Sequence, residues 1–225
     1  MVGRLAEPRS VDTTRPRQRF EVDDGVAVEK EGYYEARLGK QVIKRDWVSI
    51  GRRPGGFIVR SSHTRLREAT LEKSGELLCD LLWAPERLRL DFPEGNSILF
   101  VFARDEVVVQ IGSTDAPEDS FQDKARYRAE AGPIFPLMHG MLYLPLIATR
   151  RLTALGETLV RFYTAPPGLC DIKRGDTTGW AEMNIKTVRG SDRLSLNADE
   201  SGHLVNYTSL VQRLAVQFVE RSNEC

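Results

Sequence analysis

The stretch Arg87-Leu88-Arg89-Leu90-Asp91-Phe92-Pro93-Glu94-Gly95-Asn96-Ser97-Ile98-Leu99-Phe100 decides the fold class. Through Phe92, apolar residues alternate with charged ones, the two-residue period of a half-buried strand. Pro93 to Asn96 then supplies turn chemistry: proline presets a corner, and glycine or asparagine takes the positive φ of a tight hairpin. Ile98 to Phe102 is apolar on both faces, as a doubly covered central strand is, and Val107 to Ile111 is its hairpin partner. The same punctuation recurs at Gly39-Lys40, at Arg53-Pro54-Gly55-Gly56, at Lys73-Ser74-Gly75 and at Arg104-Asp105-Glu106. Turns spaced by roughly eight to twelve residues predict an antiparallel sheet, sandwich or barrel.

The intervening pieces read as strands at Tyr33–Leu38, Val42–Ile50, Phe57–Leu66 and Gly75–Trp83, the last ended by Pro85. Gly112 to Gly132 is polar and reads as a loop with one helical turn near Ser120 to Arg128. Phe135 to Leu155 is the most apolar stretch of the chain. Pro136 and Pro145 divide it, so the expectation is a helix over about 137–143 followed by a shorter segment, covering or plugging the sheet. Strands resume near Thr158–Tyr163, Trp180–Val188, Arg193–Asn197 and His203–Tyr207; Leu210–Glu220 fits a strand face slightly better than a helix face. The fold expected is mainly β: a strongly curved antiparallel sheet, half-barrel or barrel, enclosing an apolar helical insert near 135–150. Residues 1–24 are expected to form a mobile N-terminal tail and 25–225 a single domain.

Composition excludes several function classes. Lysine plus arginine equal aspartate plus glutamate, 32 against 32, so bulk capture of nucleic acid by a basic field is not expected. The cysteines Cys79, Cys170 and Cys225 are widely spaced and form no C-x-x-C pair, and the histidines at 63, 139 and 203 lack metal-ligand spacing. No metal is therefore expected. Neither a dinucleotide fingerprint nor a phosphate loop is present, and no cofactor is expected. No apolar run is long enough to span a membrane. The first twenty residues carry five arginines and no apolar core, so no secretory signal is expected and the protein is placed in the cytoplasm.

Tyr33-Tyr34-Glu35-Ala36-Arg37-Leu38-Gly39-Lys40 resembles the opening hairpin of a bacterial domain family of unknown function. The subsequent order is similar too: strands, an apolar helical insert, more strands, and a closing hairpin around the acidic turn Asp199-Glu200-Ser201-Gly202. The resemblance implies the lipoprotein-carrier architecture, a curved antiparallel sheet around an apolar helix, and with it a hollow for an apolar molecule.

Polar residues on otherwise apolar faces are the candidate chemistry, because an unpaired buried charge is expensive. Asp46 shares a face with Val48 and Ile50, and His63 shares one with Phe57, Val59 and Ser61. If its face points inward, Asp46 is a buried carboxylate suited to acid–base work; if the other face does, Trp47 and Ile43 are inside and Asp46 is solvated. His63 either exchanges protons near neutral pH or is a hydrogen-bonded wall residue. His139 and Tyr143 are one helical turn apart and would project together. Asp46, His63, His139 and Tyr143 are thus the catalytic candidates. Tyr34, Trp47, Trp83, Phe100, Met138, Met141, Trp180 and Glu182 are the candidate substrate-binding set, although the wet face of a strand is the simpler reading of Glu182. Arg52-Arg53 and Arg150-Arg151 read as solvated loop charges or, more sharply, as anion-binding patches. Two functions follow: a cofactor-independent biosynthetic enzyme of cyclase, isomerase or dehydratase type acting on an apolar small molecule, or a non-catalytic carrier or sensor of a lipid-like ligand.

Overall fold

The computed structural model describes residues 26–65, 70–103, 105–128, 134–136, 143–165, 168–177, 179–187, 190–211 and 213–220. The residues 1–24 expected as a tail lie outside these. Among the described residues one sheet holds fifteen strands. The first half contains β1 (Ala27–Leu38), β2 (Gln41–Arg53), β3 (Gly56–Arg65), β4 (Thr70–Asp80), β5 (Pro85–Asp91), β6 (Asn96–Phe102), β7 (Glu106–Ser113) and β8 (Gln122–Arg128). Then come β9 (Ile134–Pro136), the helix α1 (Leu144–Leu155), β10 (Leu159–Ala165), β11 (Gly168–Arg174), β12 (Trp180–Thr187), β13 (Gly190–Ala198), β14 (Leu204–Ser209) and β15 (Leu214–Glu220).

Strands adjacent in sequence are adjacent in the sheet, and β1 pairs with both β2 and β15. The order would be circular but for one break, between β8 and β9, where the sheet stays open. A closed barrel is therefore not formed. Every pairing is antiparallel except β9 with β10, which is parallel. A parallel neighbour cannot be reached by a hairpin; it needs a crossover of a dozen or more residues. Helix α1 lies within that crossover.

The helix expected over about 137–143 lies, apart from Tyr143, outside the described residues; the segment expected to follow it as a shorter piece is α1, twelve residues long. It starts at Leu144 with Pro145 in its first turn. Proline there sacrifices no intrahelical hydrogen bond, so Pro145 opens the helix rather than breaking one. Gly156 ends it in the left-handed conformation, φ 67°. Leu144, Pro145, Leu146, Ile147, Ala148 and Thr149 are all buried. A helix apolar on every side must be surrounded.

Two further differences concern strands. The region read as loop carries a 3-10 turn at Glu118–Ser120 and then the edge strand β8, and β11 was not expected. The ambiguous Leu210–Glu220 resolves as a strand from Leu214, with Val216 buried.

One face of the sheet carries the core: Tyr34, Val48, Val59, Leu77, Leu88, Leu90 and Phe100 from one half, Phe162, Ile172, Met183, Leu196 and Val216 from the other, with α1 between. Three hydrogen bonds tie α1 to turns of both halves. Thr149 Oγ1 donates to Gly202 O at 2.9 Å and Arg150 Nη1 to Ser201 O at 3.0 Å; Arg151 Nη1 reaches Leu82 O at 3.2 Å. Gly202 has φ 78°, and a Cβ there would meet Thr153 Oγ1 at 2.5 Å. Glycine thus serves both the turn and the close approach of the helix.

The opposite face is dominated by ion pairs. Arg60, Glu76, Arg87, Glu118, Arg89 and Asp91 form a continuous ladder across β3, β4 and β5 to the 3-10 turn.

Because Leu146 is fully buried, Leu146→Ala is expected to lower stability by about 2–5 kcal/mol. Urea unfolding should show a lower midpoint at unchanged slope. An unchanged midpoint would mean that α1 does not hold the core.

Candidate functional site

The cross-strand register builds one row of side chains on the inner face. Phe218 of β15 lies opposite Tyr34, Tyr34 opposite Asp46, Asp46 opposite His63, and His63 opposite Lys73. Directly opposed residues of an antiparallel pair share a face. Asp46 and His63 are both fully buried, and His63 Nδ1 stands 2.9 Å from Asp46 Oδ1. The approach is close without the alignment of a hydrogen bond, and it becomes an ion pair when the imidazole is protonated. Lys44 Nζ lies 3.5 Å from the same carboxylate oxygen.

On its other side His63 meets two hydroxyls. Ser61 Oγ is 3.3 Å from His63 Nε2 and 3.3 Å from Tyr143 OH, and the His63 and Tyr143 rings stack at 5.9 Å. Ser61 and Tyr143 are also fully buried. Asp46 facing Nδ1 favours the imidazole tautomer with its proton there, leaving Nε2 as an acceptor. Ser61 has one proton and three acceptors within reach: Nε2, the Tyr143 oxygen and Gly75 O at 3.4 Å. A Cβ on Gly75 would lie 3.0 Å from Ser61 Oγ, so glycine there leaves Ser61 its room.

The electrostatics sort these groups. Burial pushes the Tyr143 phenol well above its ordinary range, so it remains a donor at neutral pH. Burial, and then Lys44, lower the Lys73 ammonium. The chain Asp46–His63–Ser61–Tyr143 contains a carboxylate, an imidazole and two hydroxyls in contact order. Such an array can move a proton between a bound group and the carboxylate–imidazole pair. Among the described residues no group of three His, Cys, Asp or Glu side chains gathers as a metal site would.

Of the sequence candidates, Asp46, His63 and Tyr143 come together. His139, Met138 and Met141 lie outside the described residues. Tyr34 is fully buried in the same row and donates its hydroxyl to Leu204 O at 3.0 Å. Phe100 is buried on the inner face of β6. Trp83 is buried too, although it belongs to the β4–β5 turn and not to a strand. Trp47 is on the opposite face of β2 from Asp46, where it is buried outside the main core. Trp180 and Glu182 also stand on the opposite face, since Ala181 and Met183 take the inner one. Trp180 is 45% exposed and Glu182 pairs with Arg193 at 2.5 Å, which is the wet-face arrangement, on an internal strand.

Sequence reasoning named Ser61 only as sharing a strand face with His63 and gave it no role. Its signal was available: the two-residue turn Pro54-Gly55 closes on the pair Arg53–Gly56, and counting outward brings Asp46 opposite His63, two positions from Ser61. Comparison with protein-family models, with curated proteins and with solved structures found no match.

A second inner histidine behaves differently. His203 is fully buried between Tyr34 and Phe218, and neither ring nitrogen has a hydrogen-bond partner among the described residues. Burial, then Lys30 and Arg150, hold it down to about 3 against the opposing pull of Asp199. It is therefore neutral in the folded protein.

Two predictions follow from these placements. Asp46→Ala leaves the buried Lys44 and His63 side without its counter-charge. It should destabilise by roughly 3–5 kcal/mol, and by less when combined with His63→Leu, so a double-mutant cycle in urea should give a clear coupling term. Additive losses would mean that the contact carries no energy. For His203, an unfolded histidine titrates near 6.5, so below that pH the unfolded chain binds a proton that the folded chain refuses. Stability is full above about pH 6.5 and falls as pH drops toward about 3. The slope of Tm against pH between 6.5 and 5 should flatten in His203→Leu; an unchanged slope would mean that His203 is protonated in the fold.

Proposed function

We propose that this chain is a cofactor-independent enzyme of the isomerase, cyclase or dehydratase class. Its substrate is an apolar small molecule bound on the inner face of a half-barrel sheet. In this reading the open order of strands curves round α1, the architecture that the lipoprotein-carrier resemblance implies. The observation that carries the reading is the convergence of Asp46, His63, Ser61 and Tyr143 from two strands and the start of the helix. Four contacting polar side chains in an otherwise aliphatic and aromatic core are costly to bury, and such clusters concentrate where protons are moved. His63 takes a proton from a carbon or oxygen of the substrate while Asp46 balances the imidazolium. Tyr143, kept protonated by burial, donates to the oxygen on which charge develops, and Ser61 relays between them.

The same burial favours a second reading. All four groups are closed off from solvent and already contact one another, as they would be in a carrier whose inner polar groups only hold the wall together.

The test uses the purified full chain. Native mass spectrometry identifies any small molecule that co-purifies, and that compound is returned to the protein in deuterium oxide. An acid–base enzyme exchanges a carbon-bound proton or converts the compound, and His63→Gln should reduce the rate at least a hundredfold while the compound still binds. A compound returned unchanged and undeuterated by the parent protein would overturn the enzyme reading in favour of the carrier.

A further inference from the structure

Seven described arginines are half-buried: Arg45, Arg53, Arg60, Arg87, Arg89, Arg150 and Arg151. The first five each pair with a carboxylate, on Glu35, Glu86, Glu76, Glu118 or Asp91. Arg150 and Arg151, consecutive on α1, have none among the described residues. Each guanidinium is met by a single backbone carbonyl, Ser201 O and Leu82 O respectively, and each Nε is buried without a partner. Asp199 and Glu29 act on Arg150, and Asp80 on Arg151, through their charge, and two of these three acids are committed to other donors. Asp80 Oδ1 accepts from Leu82 N and Ala84 N at 2.8 and 2.7 Å. Asp199 accepts from Ser201 and from the His203 backbone, and it faces Lys30. A guanidinium has five donors in a planar fork that suits carboxylate and phosphate oxygens, and it does not give up its charge even though burial works against it here.

The surroundings are built around this pair. Trp83 adopts φ 61°, an uncommon conformation for a bulky side chain, in the turn that Asp80 holds. There its indole stacks on Phe57 at 4.2 Å and lies beneath the Arg150 guanidinium at 5.2 Å. Strained backbone persists where the surroundings over-determine it, and such positions cluster at ligand clamps. The same turn leaves Leu81 57% and Leu82 47% exposed, an apolar rim next to two uncompensated cations. Along α1, Arg150 is seven residues beyond Tyr143, roughly 11 Å of helix rise.

We infer that Arg150 and Arg151 receive the oxyanion head, carboxylate or phosphate, of an amphiphilic ligand whose apolar part runs along the inner face toward Ser61 and Tyr143. This rests on the reading of the inner face as an apolar binding surface. It adds the chemical class of the molecule: a chain with one anionic end, held head-first between the β4–β5 and β13–β14 turns.

The experiment measures binding of dodecanoate, dodecyl phosphate, dodecanol, acetate and inorganic phosphate to the full chain by calorimetry. The two anionic amphiphiles should bind at least tenfold tighter than dodecanol, with the advantage shrinking at high salt. Arg150→Gln with Arg151→Gln should abolish that advantage and leave dodecanol unchanged, and Arg193→Gln, on the outer face, should leave it intact. Equal binding of dodecanol and dodecanoate by the parent protein would overturn the anion site while sparing the apolar surface. Acetate or phosphate binding as tightly as the amphiphiles would reduce the pair to a free-anion site and overturn the proposal. No binding by any amphiphile would remove the apolar surface as well. If the double variant does not fold, the comparison among ligands on the parent protein decides alone.

Discussion

The architecture depends on burying α1. Its first six residues carry no polar side chain except Thr149 and all six are buried, so this end of the helix is stable only when enclosed. The parallel placement of β9 beside β10 forces the connection to cross the inner face, and that crossing is what brings the helix inside. Burial of Leu146, Ile147 and Leu152 against both halves of the sheet contributes roughly 1.5–3 kcal/mol per side chain. Because the arginines and Thr149 then reach turns on opposite halves, the helix also sets where those halves sit.

The same enclosure creates the chemical problem that the polar row answers. Tyr143 opens the helix at its buried end, so its hydroxyl needs a partner inside the core, and Ser61 provides one. Ser61 in turn stands beside His63, and His63 beside Asp46. A structural account of this chain would stop at satisfied hydrogen bonds. It does not explain why a carboxylate and an imidazole extend the chain beyond the two hydroxyls, where Thr or Val would pack at lower cost. That excess of ionisable groups over what satisfaction requires is the physical argument for chemistry.

How much of this was legible can be argued strand by strand. Strands between Tyr33 and Ile111 announce themselves because most alternate, Ile98–Phe102 is apolar on both faces, and most end at a glycine or proline turn. β8 is fainter: Gln122, Asp123 and Lys124 are polar on both faces, as suits an exposed edge strand, and only Ala125 and Tyr127 mark an inner side. β11 is short and lies close after Pro166-Pro167, which reads as loop. Pro145 was taken as a breaker because position in the first turn cannot be known before the helix start is known. In the site, Asp46 and His63 were legible as inward candidates, and the Pro54-Gly55 turn fixes their pairing. Their alignment with Tyr34 and Lys73 was not.

That alignment is the work of two bulges. The β1–β2 register shifts between Ala36 and Arg37, and the β3–β4 register shifts between His63 and Thr64. Counted outward from the Gly39-Lys40 turn without the first shift, Asp46 would oppose Tyr33, which belongs to the outer face, and Tyr34 would oppose Arg45. The extra residue at Ile43 moves Tyr34 into the inner row instead. The second shift does the same for Lys73, which would otherwise be out of step with His63. A bulge costs ladder hydrogen bonds and strengthens the local twist. Here two of them flank one carboxylate–imidazole pair and bring a phenol and an amine onto its row. Without these two shifts the inner and outer residues of β1 and β4 would trade faces. Shifts elsewhere, at Val28/Lys30, Leu78/Cys79, Val109/Gln110 and Asn197/Ala198, show that the sheet adjusts its register repeatedly; the two beside Asp46 and His63 are the ones that set which side chains share their row.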